Sequence, residues 1–379
     1  MTTLTLNPFQ KLRIKATKDF NQGVKPVDGR QPIPDELALA MIDELDVPKD
    51  ACIGVHDAFL ILTSHLREQG YTNIVVLENV HQNLTPLQQK YYDSIKSVCD
   101  NSPTIKYYVP PMNNYNRCDM DFDVVIGNPP YSDTSSDSSN NKSLDSVFFE
   151  LGVKRSDVTK MIIRAKHFTD PRSTFRRNLF NSGKVSSITY IDSKRFGIYQ
   201  EILTCVVTHD VNHEGPTRVE YMGGIVKEET LTKDSLVFLT SPNKKEIPYD
   251  ESLAPRWIRG KIAANKIDHD ESGVPIIVAS GRTEPLIQRD KTGEHIGLNQ
   301  YGIVMNVTNH LGKTGPIRMK QYDACLGLGM LALITDTEEE AQQLYDWFLS
   351  DEGKQVIKEV KTSTVSSKQM FSYIKDPLK

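Results

Sequence analysis

Short apolar runs alternate with amphipathic stretches through the first half of the chain. Val124-Val125-Ile126 is an uninterrupted run of β-branched residues, the pattern of a strand buried on both faces of a parallel sheet. Gly127 ends it, and Asn128-Pro129-Pro130-Tyr131 follows as a stiff elbow. Upstream, residues 51–62 read as strand, turn and helix start. Phe59, Leu60, Leu62 and Leu66 continue that helix over residues 58–69, and Gly70 closes it. Asn73 to Leu77 reads as a second strand, residues 85–99 as a helix, and Ile105 to Val109 as a third strand before Pro110-Pro111. Ahead of these, Pro32 and Pro34 lead a helix over Asp35 to Leu45, with Asp35 as its expected N-cap and Leu37, Met41 and Ile42 in its apolar stripe. Beyond the elbow, Leu144 to Leu151 has helical spacing, and Met161-Ile162-Ile163, Val185 to Tyr190 and Ile202 to Thr208 read as strands. This cadence predicts an α/β fold, a doubly wound parallel sheet with helices on both faces.

The cadence stops near Gly215-Pro216, where turn signals such as Gly223-Gly224 and Ser241-Pro242-Asn243 become frequent. The boundary is therefore expected there, giving domains over residues 1–215 and 216–379, the second of mixed α+β type. Near the end, Thr337 is placed to cap a helix whose first turn holds Glu338, Glu339 and Glu340. A further helix is expected over residues 353–362. Residues 1–30 look like an irregular arm, and the run from Ser132 to Ser143 is too polar to bury itself. That run reads equally as a solvated connector or as a lid ordered by substrate.

Composition narrows the class. Apolar residues make up 38% and charged residues 25% of the 379 positions, which favours a folded protein over a disordered one. No apolar run reaches the length of a membrane span, and Met1 to Gln10 has no secretory pattern. The five scattered cysteines suit reduced thiols in a cytoplasm, and no Cys or His spacing fits a metal site. The net charge of −4 is unlike that of most nucleic-acid binders, so any DNA contact has to come from local patches.

The elbow carries the chemistry. Proline lacks an N–H, so Pro129-Pro130 is rigid and offers carbonyls as its only main-chain polar groups. The Asn128 amide oxygen and the Pro129 carbonyl are suited to accept both hydrogens of one exocyclic amine, which frees its lone pair for attack. Tyr131 offers a ring on which a base stacks, an interaction of roughly 1–3 kcal/mol. The tetrad resembles the Asn-Pro-Pro-Tyr motif of amino-methyltransferases that use S-adenosylmethionine, above all the adenine-N6 DNA methyltransferases. The same tetrad also serves glutamine methylation in proteins, but the long C-terminal region suits a DNA-reading module better.

The resemblance implies a Rossmann-like class I methyltransferase sheet followed by a target-recognition domain, the gamma order of motifs. It implies a base flipped out of double-stranded DNA into a pocket between Tyr131 and Phe196, and a restriction endonuclease as a possible partner. Phe196-Gly197 occupies the place of a family Phe-Gly turn; by itself Phe196 reads more readily as core. Cofactor contacts are expected from Gly54, His56, Asp57 and Asn128, and from Glu78, whose place at a strand end suits ribose hydroxyls but also suits a solvated acid. Candidate DNA contacts are Arg172, Arg176, Arg177, Arg256, Arg259 and Arg282; the first three also fit a solvated helix face. The chain departs from the family at the cofactor loop. Aligned on Ala58-Phe59-Leu60, its two usual glycines become Val55 and Asp57, and Pro110-Pro111 stands where an adenine-reading acid is usual. Weak cofactor binding is therefore expected, and a relative that has lost turnover and serves as a DNA- or protein-binding module is the alternative.

Overall fold

The computed structural model describes residues 33–57, 59–77, 99–108, 120–131, 143–192, 203–242, 251–260, 269–279, 286–290, 300–307, 317–322, 325–327, 329–360 and 368–379, with isolated positions between 89 and 97. Phe196, Glu78, Arg282 and the polar run over residues 132–142 lie outside the described residues, as does most of the helix expected over 85–99.

The described chain divides into two compact units, the first closing at Ser235 and the second running from Leu236 to the end. The first is built on a nine-stranded sheet in the order β3-β2-β1-β4-β5-β7-β6-β8-β9. Its strands are β1 (Cys52–His56), β2 (Asn73–Val76), β3 (Ile105–Tyr107), β4 (Phe122–Gly127), β5 (Ser156–Arg164), β6 (Val185–Ile191), β7 (Thr204–Asp210), β8 (Thr217–Glu220) and β9 (Val226–Glu229). The first five run parallel, and β7 lies antiparallel to both β5 and β6. This is the Rossmann-like core anticipated from the cadence, with an antiparallel strand inserted beside β5. The hairpin β8–β9 adds to the same sheet, because β8 pairs with β6. The first unit thus extends beyond Gly215, past the point where the helical cadence stops.

Burial on both sides explains the apolar strands. Ile53, Val55, Val124, Ile126 and Ile162 share a core with Leu37, Met41 and Ile42 of helix α1 (Asp35–Asp43) and Leu62 and Leu66 of α2 (Ile61–Glu68). Each such side chain contributes roughly 1.5–3 kcal/mol relative to exposure. Helix α3 (Leu144–Arg155) covers the other face: Gly152 lies so close to Thr159 and Met161 of β5 that an added Cβ would come within 2.8 Å of the threonine. Below it, α4 (Lys166–Thr169) and α5 (Thr174–Asn181) supply Phe168, Phe175 and Phe180, with Phe168 and Phe180 stacked at 5.5 Å. Asp35 is not the N-cap of α1. Extended Pro34 takes that place, its carbonyl accepting from Ala38, while the Asp35 carboxylate bonds His65 of α2 at 2.8 Å.

The second unit holds a four-stranded sheet of β10 (Trp257–Arg259), β16 (Met330–Thr335), β13 (Gln300–Asn306) and β14 (Ile317–Tyr322), in that order. A three-stranded sheet joins β12 (Leu286–Asp290), β11 (His269–Ala279) and β15 (Cys325–Leu326). Helices α6 (Glu338–Leu349), α7 (Asp351–Val360) and α8 (Lys368–Ser372) follow. Leu344 and Phe348 pack with Ile303, Met305, Leu331 and Leu333 of the first of these sheets. Thr337 caps α6 as expected: its hydroxyl accepts from the Glu340 N–H, and Glu340 reaches back to the Asp336 N–H.

One contact closes the first sheet at its functional edge. A Cβ at Gly127 would sit 2.3 Å from the His56 carbonyl oxygen and 2.5 Å from the His56 Cβ. Gly127→Ala is therefore expected to force β1 and β4 apart and to lower stability by about 2–3 kcal/mol. Urea unfolding of the two proteins checks it.

Candidate active site

Strand order reverses at β1: the chain runs outward through β2 and β3, then returns to place β4 on the opposite side. Ligands of open α/β sheets bind outside the carboxyl ends of strands at such a point. Both ends are in register here. His56 pairs with Gly127, and the Asn128 N–H donates to the His56 carbonyl at 2.9 Å. At the other end of β1, the Cys52 N–H donates to the Asp123 carboxylate of β4 at 2.7 Å, so the pairing is pinned at both ends.

The tetrad leaves β4 at this edge. Asn128, Pro129 and Pro130 are buried and Tyr131 is half-buried. The Tyr131 hydroxyl donates to Asn128 Oδ1 at 3.0 Å. Burial first, and the nearby Asp145 second, push the phenol pKa upward, so it stays a donor. A carboxamide oxygen has two lone pairs and can accept two such bonds.

Behind Tyr131 stands an ion-pair cluster that the sequence reading passed over. Asp145, in the first turn of α3, has no exposed surface. Its carboxylate accepts from Ser143 Oγ at 2.8 Å, from the Arg164 N–H at 3.0 Å, from Arg164 Nε at 3.1 Å and Nη2 at 2.7 Å, and bonds His167 Nε2 at 3.0 Å. Burial opposes its ionisation, but the bonds from His167 and Arg164 outweigh that and hold the carboxyl well below the usual range. Arg164 Nη2 also donates to the Tyr131 carbonyl, and its guanidinium lies over the Tyr131 ring, 5.6 Å from the centroid. The one sequence signal was Arg164 itself, a charge ending the apolar strand Met161-Ile162-Ile163 on the same sheet edge as the tetrad.

The loop that leaves β1 is built differently from a glycine-rich one. His56 is buried edge-on against Phe148 at 5.1 Å, and burial pushes its imidazole pKa down to about 3. It is neutral at pH 7 and supplies no cation. Asp57 is buried, and its carboxylate accepts from the Thr63 N–H at 3.1 Å, capping the start of α2. Leu60, at φ 59°, is the one non-glycine residue in the left-handed region among the described residues. Gly54 lies inside β1, and an added Cβ would meet Leu77 at 2.9 Å and Phe122 at 3.2 Å, so its missing side chain makes room for strand packing.

The candidate arginines separate clearly. Arg176 is 1% exposed, and its guanidinium donates to the carbonyls of Asp170, Pro171, Lys233 and Ser235. It is a structural residue, which corrects the expectation that it contacts phosphate. Arg256 is likewise engaged within the second unit, with Asp376 at 2.7 Å and Glu340 at 3.7 Å. Arg172, Arg177 and Arg259 are exposed. Arg177 bonds the Pro171 carbonyl at 2.8 Å, and Arg172 lies 3.6 Å from Asp170.

Residues 40–196 match the model of the Eco57I restriction-modification methylases, an adenine-N6 DNA-methyltransferase-related family. No curated protein matches. Among solved structures, the type I restriction-modification methyltransferase subunit from Streptococcus thermophilus is similar at 16% identity over 54% of this chain and 51% of that one, with a TM-score of 0.40. A chain of another type I restriction-modification system aligns at 11% identity over 56% of this chain and 48% of its own length, with a TM-score of 0.41. A dimethyladenosine transferase from Plasmodium falciparum aligns at 8% identity over 48% of this chain and 62% of that one, with a TM-score of 0.31. The chain spans about half the length of the first two. What the strand order itself shows is a Rossmann-like core in the first unit.

Two outcomes are expected from this geometry. The depressed His56 pKa means that the unfolded chain takes up a proton near pH 6.5 that the folded chain refuses until about pH 3. Its contribution is therefore complete above pH 6.5 and is lost as pH falls from there towards 3. His56→Asn should flatten the acid side of the stability curve, as measured by urea unfolding at several pH values. Arg176→Met should leave four carbonyls without their donor and lower stability by about 3 kcal/mol. In folded protein it should leave DNA affinity unchanged in an electrophoretic shift assay.

Proposed function

We propose that the protein methylates the N6 amine of adenine in double-stranded DNA at a specific site, with S-adenosylmethionine as methyl donor. The observation that carries this reading is the position of Asn128-Pro129-Pro130-Tyr131 at the carboxyl end of β4, in register with the end of β1 at the switch point. The family match over residues 40–196 supports it. S-adenosylmethionine supplies an electrophilic methyl group on a sulfonium. The chain's part is to hold the amine. Asn128 Oδ1 and the Pro129 carbonyl accept its two hydrogens, the nitrogen lone pair turns toward the methyl carbon, and Tyr131 bears the base. With the cofactor bound, its methyl group would pass from sulfur to the amine nitrogen, S-adenosylhomocysteine would leave, and one amine proton would go to water. The described residues fit a cationic donor: Asp57 and Asn128 place a carboxylate and a carboxamide at the ends of β1 and β4, and Glu78 and Phe196 are proposed to complete the ribose and base contacts. Under this reading the second unit selects the DNA site, with Arg259 among its contacts, and Arg172 and Arg177 lie against phosphate. An endonuclease that cuts the same unmethylated site is the partner such an enzyme serves.

A second reading, a relative without turnover that binds DNA or protein, draws on one observation. The start of α2 carries the Asp57 carboxylate rather than a glycine turn, so an anionic group of a ligand meets a like charge there.

Mass spectrometry of adenine in DNA incubated with protein and S-adenosylmethionine separates the two. N6-methyladenine is expected from the native protein. Asn128→Ala removes one of two acceptors and should lower kcat by about a hundredfold or more while DNA binding survives. Full turnover by the folded variant contradicts the assignment. Absence of both product and calorimetric cofactor binding supports the second reading.

A further inference from the structure

We infer that Arg164 is a positioning residue that fixes Tyr131 by its carbonyl and by one face of its ring, so that a base stacks on the opposite face. The inference rests on the proposed function in taking Tyr131 as the platform for the extruded base. Its ground is the geometry of Arg164. The guanidinium lies over the ring at 5.6 Å, and Nη2 donates to the Tyr131 carbonyl. Tyr131 is held at three points: Arg164 and the Leu144 N–H on its carbonyl, and Asn128 Oδ1 on its hydroxyl. The last bond links the ring to the acceptor of the amine, so a displaced ring also displaces Asn128.

Arg164 is itself immobilised. Asp145 takes Nε and Nη2 in a fork, and also bonds Ser143 and His167. His167 is in turn set edge-on against Phe175 at 5.3 Å, within the aromatic cluster beneath α3. A buried ion pair is a poor source of stability, since apolar residues of similar volume often do as well. A planar fork at a defined height over a ring is something apolar residues do not supply. The pairing also matters to charge. Methyl transfer brings positive charge onto the amine, and an unpaired cation under the ring would oppose it. With Asp145 opposite, the pair is neutral and what remains is its geometry.

Two measurements on the full chain test this. The first is fluorine NMR of protein labelled with fluorotyrosine, with the Tyr131 signal identified by its loss in Tyr131→Phe. Arg164→Met should shift and broaden that signal while leaving the other tyrosines in place. The second is N6-methyladenine formation on DNA free of that base, with calorimetric titration of S-adenosylmethionine. Arg164→Met should lower kcat by about ten- to a hundredfold, with the cofactor Kd within about twofold of the native value. Arg164→Lys should behave like Arg164→Met, because one ammonium cannot hold both Asp145 oxygens and cover the ring. If the methionine variant does not fold, the lysine variant carries both comparisons. An unchanged Tyr131 signal overturns the inference whatever the activity, as does a changed signal with unchanged kcat. Native protein that forms no N6-methyladenine, with a Tyr131 signal that still responds to Arg164, removes the methyltransferase reading and leaves the hold of Arg164 on Tyr131 standing.

Discussion

The pairing of β1 with β4 is the constraint on which the site depends. Nothing in the sheet otherwise forces the elbow after Gly127 to lie beside the loop after His56. The chain leaves β1, builds β2 and β3 on one side, and returns through β4 on the other, which opens the crevice. Gly127 then allows the backbones to approach so closely that no side chain fits between them. The bond from the Asn128 N–H to the His56 carbonyl carries the ladder one step past the strand end and orients the tetrad. The prolines that follow have no N–H with which to continue it, so the chain turns there.

Each unit also uses arginines internally, to hold its own segments together. Arg176 ties α5 to the segment at Lys233 and Ser235, and Arg256 ties the turn before β10 to Asp376. Both arose as DNA candidates because a sequence shows charge and not exposure. A net charge of −4 therefore says little about where cations are free to meet phosphate. Among the described candidates, exposure narrows the set to Arg172, Arg177 and Arg259.

What could be read from the sequence follows from which interactions are local. Val124-Val125-Ile126 and the tetrad were readable because burial and proline stiffness act within a few residues. The Thr337 cap was readable because its acceptor and donor are three residues apart. The role of Asp35 is not legible locally, because its partner, His65, is thirty residues away and becomes a neighbour only when α1 packs on α2. Asp145 escaped notice for the same reason: Ser143-Leu144-Asp145 reads as an ordinary helix start, while its value comes from Arg164 and His167 on later elements. The cadence also suggested that the first domain ends where helices cease. The sheet continues through the hairpin β8–β9, because edge pairing needs no further helix.

The loop after β1 shows how a departure in sequence becomes a different local structure. In a glycine-rich loop, close backbone approach does most of the holding. Here Asp57 folds back onto the Thr63 N–H, and Leu60 takes the left-handed turn that a glycine would make without strain. A leucine there costs on the order of 1–3 kcal/mol, offset by its burial at 1% exposure in the core shared with α1. With Asp57 at its start, α2 no longer presents an open positive end, and the adjacent His56 carries no charge at pH 7. The end of β1 therefore carries a carboxylate that caps a helix and a neutral imidazole, where a glycine loop would carry bare backbone. Under the proposed function, the cofactor is met at this edge by side chains rather than by close backbone approach.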